Sequence, residues 1–234
     1  MHRLITFLLA IFLTTTTVAT DFPLTSYQAS YTLYRGGLNV ANSELSLEQS
    51  GRYWRWRQIS KPKGMYALFS NASLYSETTL LRLDDRYKIH NILVTDEGDD
   101  DRFENARFNW DNKNVDIQYK DKRYLENLPD QVFDLHSIHL LTAHMLKQDL
   151  QKYEFYYYRR GKLAKSVVTQ AGKSKLEINK KPIDVLIFEQ TIEGRNSKMK
   201  FYYDPDRPLL PIKIESTKPN KKTTIMLLQS DEWS

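Results

Sequence analysis

The stretch SYQASYTLYRGGLNVANSELSL, residues 26–47, decides the fold. Tyr27, Ala29, Tyr31 and Leu33 fall on one face of an extended chain and Gln28, Ser30 and Thr32 on the other, the period of a strand with one buried side. Gly36-Gly37 supplies the positive φ angles of a tight turn, and Leu38, Val40, Leu45 and Leu47 begin the return. The stretch reads as an antiparallel hairpin.

The same pattern repeats outward. RYWRWRQIS (52–60) follows Gly51 with Trp54 and Trp56 on one face, and LYSETTLLRL (74–83), RYKIHNILVT (86–95), RFENARFNW (102–110) and VDIQYK (115–120) come in turn. Further on stand YEFYYYRRG (153–161), LAKSVVTQ (163–170) ending at Ala171-Gly172, SKLEI (174–178), IDVLIFEQTI (183–192), SKMKFYY (197–203), LPIKIES (210–216) and TTIMLLQ (223–229). Most show one apolar and one mixed face. The unbroken run Val185 to Phe188 predicts a strand packed on both sides. Links of two to five residues require antiparallel neighbours, because a parallel crossover needs a dozen or more.

Two segments break the alternation. KPKGMYALFSNAS (61–73) carries Met65, Leu68 and Phe69 at helical spacing and predicts a short helix over about 64–70. DLHSIHLLTAHMLKQDL (134–150) places Leu135, Ile138, Leu141, Met145 and Leu146 on one helical stripe, with Asp134 as N-cap. The expected fold is mainly β: eleven to thirteen short strands in a curved antiparallel sheet, a half-barrel or a barrel-like sandwich, with one packed α-helix over about 134–150.

Composition bounds the function. The 234 residues are 41% hydrophobic, 12% aromatic and 27% charged, too apolar for intrinsic disorder. With no cysteine there is no disulfide scaffold, thiolate metal site or cysteine nucleophile. MHR, the apolar run LITFLLAIFL (4–13) and TTTTVATD have the layout of a secretory signal cleaved after Ala19, leaving residues 20–234 as one β-rich domain. Ten apolar residues rise only about 15 Å as a helix, roughly half a bilayer core. The mature chain is therefore expected not to span a membrane. The net charge of +5 is mild, and in an exported protein it argues against nucleic acid as a partner.

Candidate chemistry is sparse. His136, His139 and His144 form the His cluster, but the first and last stand about 12 Å apart along a helix and no HExxH-like motif accompanies them, so no metal is expected. DEGDDD (96–101) lacks the spacing of a calcium loop, and Asp204 and Asp206 in YDPDRPLLP read as turn chemistry. No GxSxG elbow, SxxK pair, phosphate loop or dinucleotide fingerprint is present, so neither catalytic residue nor cofactor is expected. The aromatic surplus is more informative: 15 Tyr, 10 Phe and 4 Trp. Trp54, Trp56, Tyr153, Phe155 and Tyr157 are the candidate ligand-binding set, with Tyr156 and Tyr158 facing opposite to the last three.

SYQASYTLYRGGLNVANSELSL, the strand RFNWDNKNV, the helix start FDLHSIHLLTAHML and the closing YDPDRPLLPIKIES together resemble the DUF3108 family of exported bacterial proteins, over about residues 24–233. The resemblance implies a periplasmic β-rich protein of uncharacterised activity and supplies no catalytic residue. The expectation is a non-catalytic cell-envelope protein binding a lipid or other amphiphile on a concave apolar face. The alternative is an interaction module that assists envelope or peptidoglycan assembly through a strand edge or the 153–158 strand.

Overall fold

The structure, a computed structural model, describes residues 23–68, 72–83, 86–97, 102–178 and 180–233. The leader expected over 1–19, Phe69 of the short helix and the last four residues of DEGDDD lie outside them. In chain order the strands are β1 (Tyr27–Arg35), β2 (Leu38–Ser50), β3 (Tyr53–Pro62), β4 (Leu74–Leu83), β5 (Arg86–Asp96), β6 (Glu104–Asn109), β7 (Asn114–Tyr119), β8 (Lys122–Asn127) and β9 (Val132–Phe133). Helix α1 (Ile138–Lys147) follows, then β10 (Lys152–Arg159), β11 (Lys162–Ile178), β12 (Lys181–Ile192), β13 (Lys198–Tyr203), β14 (Pro211–Thr217) and β15 (Thr224–Trp233). A short 3-10 helix, Gly64–Leu68, links β3 to β4.

All fifteen strands share one open curved sheet, ordered β8-β7-β6-β5-β4-β3-β2-β1-β15-β14-β13-β12-β11-β10-β9. Each neighbouring pair is antiparallel except β9 with β10. The chain thus meanders outward from β1 to one edge, crosses, and meanders back to lay β15 against β1. The two edges, β8 and β9, are joined by residues 128–131 alone, so the sheet must curl until they are close. That link is tied to both sides: Leu128 N–H donates to Lys113 O and Tyr156 N–H to Gln131 O, each at 2.9 Å. The Arg160-Gly161 turn docks on the outgoing strands, where Gly161 N–H donates to Glu104 Oε1 at 2.8 Å and Tyr124 Oη–H donates to Gly161 O.

Local chemistry accounts for the differences from expectation. LAKSVVTQ and SKLEI are one strand, β11, because Ala171-Gly172 makes a register shift against β12 instead of a turn, with Gly172 at φ +124°. Strand β8, KRYLEN, carries too few apolar residues to show a period. Helix α1 begins at Ile138, not 134, because Asp134 and Ser137 bind each other and hold the preceding residues in a tight turn. It ends at Lys147, beyond which Asp149 sits at φ +50°.

The concave side is occupied. Helix α1 lies in the trough, with Leu140 and Ala143 in a cluster led by Tyr27, Tyr31, Leu47, Trp56 and Ile117. Ile138, Leu141 and Met145 join Phe155, Phe188 and Phe201 in a second cluster. Val185 belongs to the first cluster and Phe188 to the second, so β12 packs on both faces as its apolar run predicts. Each large side chain so buried contributes about 1.5–3 kcal/mol, and the helix is held by packing on both flanks rather than by its own propensity.

Candidate functional site

At one rim of the sheet a cavity of about 520 Å³ remains beside the start of the helix segment. Its apolar wall is Leu74 from β4, Ile92 and Val94 from β5, and Leu135. Its polar side includes Ser76, Glu77, Thr78, Glu104, Asp134, His136, Tyr157 and Tyr158, and Arg159 and Arg160 stand at the opening. Two more open hollows, of about 850 and 890 Å³, lie along β4–β8 and along β9–β12. The smaller one stands out by its chemistry, because Glu104, Asp134 and His136 are all buried there.

The strand period puts these groups together. Ser76, Thr78 and Leu80 point to the concave side of β4, as Glu104, Ala106 and Phe108 do on β6; of these, Thr78, Leu80, Glu104, Ala106 and Phe108 are buried. Asp134 and His136 arrive on the turn after β9, which crosses beneath the curled sheet.

One hydrogen-bonded line organises the floor. Ser137 N–H and Oγ–H donate to Asp134 Oδ1 at 2.8 and 2.5 Å, and Thr78 Oγ1–H donates to Asp134 Oδ2. With its single proton committed to the carboxylate, the Thr78 oxygen can only accept from His136 Nδ1, 2.9 Å away. His136 is therefore the neutral Nδ1–H tautomer, and its Nε2 faces Ser76 Oγ at 3.4 Å. Burial holds this imidazole below the ordinary histidine range, against the opposing pull of Asp134 and Glu77. Its ring stacks on Trp56 with centroids 6.5 Å apart.

Other groups of the floor are shifted toward their neutral forms. Burial pushes the Glu104 carboxyl up, offset in part by the Gly161 N–H. Burial likewise raises the Tyr157 and Tyr158 phenols well above the ordinary tyrosine range, and the Tyr157 hydroxyl has no hydrogen-bond partner. Both oxygens of Asp134 are occupied by donors. Positive charge collects at its opening, which Arg102, Lys120, Arg159 and Arg160 line.

The sequence-predicted residues are distributed unevenly over this arrangement. Trp54 and Trp56 are core residues of β3, at 9% and 0% exposure. Tyr153, Phe155 and Tyr157 share one face of β10 within the α1 cluster, and Tyr156 and Tyr158 pack against the other cluster. Of the five, Tyr157 lines the 520 Å³ cavity, while Phe155 lines the 890 Å³ hollow. His139 is buried against Trp56, Phe201 and Tyr203, with Nδ1 2.5 Å from Tyr203 Oη, and His144 is half-buried. Both His136 and His139 thus lie in the interior. Asp204 serves its turn, accepting from Asp206 N–H at 3.0 Å and from Arg207. Ser76, Thr78, Glu104, Arg159 and Arg160 were not singled out by sequence. For Glu104 the signal was present: it stands in phase with Ala106 and Phe108, on the buried face. Among the described residues no group of three or more His, Asp or Glu is placed to hold a metal, and no helix is long and apolar enough to cross a membrane.

A family model described as "Protein of unknown function (DUF3108)" matches residues 26–227. None of the curated proteins matches the chain. Among solved structures, a β-barrel-like protein of the domain of unknown function DUF1849 from Brucella abortus is similar at TM-score 0.57 and 8% identity, over 90% of this chain and 98% of that one. MucB in complex with MucA(peri) follows at TM-score 0.37 and 12% identity, over 91% of this chain and 51% of that one. The MucA/MucB complex of Pseudomonas aeruginosa gives TM-score 0.34 and 11% identity, with 92% and 53% covered. The chain spans about half the length of the MucB chains it matches. The first similarity shows a shared β-barrel-like fold.

Proposed function

Since the chain belongs to the DUF3108 family, whose description assigns no activity, we propose from its cavity that it is an exported, non-catalytic protein of the bacterial cell envelope that binds an amphiphile with an anionic head. The observation that carries this reading is the division of the 520 Å³ cavity into an apolar wall, a buried polar floor and a cationic opening. The volume suits a small-molecule site. A tail lies along Leu74, Ile92, Val94 and Leu135, the head meets Arg159 and Arg160, and the Tyr157 hydroxyl gains the partner it lacks. Of the three acids that line the cavity, Glu104 is shifted toward its neutral form, Asp134 is occupied by its donors and Glu77 is paired with Arg57. Of the aromatic set expected to bind ligand, Tyr157 keeps a direct part and Trp56 supports the floor through His136. The leader read from residues 1–19 supports export, and with it a periplasmic location.

Titration with a dansylated fatty acid tests the reading. Saturable emission enhancement is expected, and Leu135→Trp, a half-exposed position where added bulk narrows the opening, should weaken it about tenfold or more. No saturable binding, or equal binding by the variant, would contradict it.

A second reading has one specific observation behind it. Ser76 Oγ, His136 Nε2 and, through Thr78, Asp134 are in line as nucleophile, base and orienting acid would be. It ranks second because the carboxylate reaches the imidazole only through a hydroxyl and burial disfavours the imidazolium that catalysis would form. A fluorophosphonate adduct on Ser76 that is lost in His136→Gln would promote it above the binding reading.

A further inference from the structure

The 3-10 helix between β3 and β4 turns its apolar side chains outward. Met65 is 72% exposed, Leu68 82% and Tyr66 43%, and none of the five residues is buried. Leu38, 58% exposed, extends the patch at the start of β2. The segment is anchored there: Lys63 N–H donates to Val40 O at 3.0 Å, and the Asn39 carbonyl lies 3.5 Å from where a Cβ on Gly64 would stand. These side chains contribute little to the folded core, so their exposure is not explained by stability.

The surroundings are basic. Arg35, Lys61 and Lys63 are exposed, and Lys222 lies across the Gly36 turn with Lys221 beside it. None of the five is in an ion pair among the described residues. Register puts them on one rim: Arg35 pairs with Leu38 and Thr224, and Ala41 with Pro62. The rim is also that of the cavity, since Ser60 pairs with Leu74, Leu74 with Asp96, Val94 with Glu104, and Glu104 with Tyr119. Glu97, which accepts from Ser73 N–H at 3.3 Å, stands beyond the 3-10 segment, away from the β1–β2–β15 side where the cations gather.

We propose that this rim docks on an anionic lipid bilayer. Met65 and Leu68 enter the boundary between head groups and acyl chains, and Tyr66 takes the interfacial level its amphipathic ring favours. Arg35, Lys61, Lys63, Lys221 and Lys222 lie over the phosphates, where each cation adds to the attraction. A bilayer suits this surface better than a protein groove does, because the apolar groups protrude from a small turn and the charge on its β1–β2–β15 side is of one sign. Docking brings the opening with Arg159 and Arg160 toward the membrane, but it stands on the exposed turn and not on what the cavity holds.

Vesicle flotation tests it with the purified protein. Binding is expected to vesicles of phosphatidylethanolamine and phosphatidylglycerol in roughly a three-to-one ratio, to fall with added salt, and to be weak on phosphatidylcholine. Met65→Asp with Leu68→Asp should lower partitioning about tenfold or more, and Lys61→Glu with Lys63→Glu should remove most of the preference for phosphatidylglycerol. All four positions are exposed, so circular dichroism should report an unchanged fold. No flotation of the wild type, equal flotation on phosphatidylcholine, or flotation undiminished in the Met65→Asp/Leu68→Asp variant would overturn the proposal. The dansyl titration reads the cavity separately and is expected to be the same in all these variants.

Discussion

Acid should destabilise this protein through His139, and the size of the effect follows from its surroundings. The imidazole is 2% exposed, and burial, with a smaller contribution from His136, lowers its pKa to about 3 from the ordinary 6.5. The unfolded chain takes up a proton below 6.5 that the folded chain refuses until about 3, so stability is complete above 6.5 and is lost as pH falls through that window. Each unit costs about 1.4 kcal/mol, so this one residue removes about 2.7 kcal/mol by roughly pH 4.5. That is a large fraction of a typical domain stability of about 5–15 kcal/mol. His139→Phe retains an aromatic ring among Trp56, Phe201 and Tyr203 but cannot be protonated. It forfeits the bond to Tyr203 Oη, worth about 1–3 kcal/mol at neutral pH. Urea unfolding followed by tryptophan fluorescence should therefore find the variant less stable near pH 7 and equal to or more stable than the wild type near pH 4.5. Parallel stability curves across that range would refute the reasoning, since His136 and the carboxylates are common to both proteins.

Glu104→Gln keeps an acceptor for the Gly161 N–H and removes a carboxyl that burial pushes toward its neutral form. Folded-state stability should fall in the wild type as pH rises from the ordinary glutamate range through the raised value; the variant should lack this fall and be the more stable at pH 8 in urea unfolding. Gly161→Ala should cost about 2–4 kcal/mol by the same assay, because Gly161 sits at φ +67° and a Cβ there would stand 2.7 Å from Tyr119 Cβ. Thr78→Val preserves shape but takes a donor from Asp134 and an acceptor from His136, and a loss of about 2–4 kcal/mol in thermal or urea unfolding is expected.

Much of the fold is legible in the residues because its determinants are local. The alternation of Tyr27, Ala29 and Tyr31, the Gly36-Gly37 turn and the apolar run Val185 to Phe188 each act within a few residues. The edge strand β8 escapes detection since an edge has little to bury, and β11 reads as two strands because a glycine that permits a register shift resembles one that ends a strand. The cavity is harder to foresee for a different reason. Thr78 meets Asp134 and His136 at separations of 56 and 58 residues, and Glu104 meets Gly161 at 57. These groups come together only when the sheet curls and the turn after β9 meets β4. Trp54 and Trp56 stand out in sequence by their size, yet size is what a core needs, and the curled sheet spends them there.

Native mass spectrometry of the protein purified from the periplasmic fraction, compared with Leu135→Trp prepared identically, bears most directly on what the cavity is for. A satellite species is expected in the wild type, heavier by the mass of one acyl-chain-bearing anion that organic extraction releases, and it should be depleted in the variant. A single apo mass in both proteins, persisting after incubation with phosphatidylglycerol and fatty acid, would contradict amphiphile binding at this site.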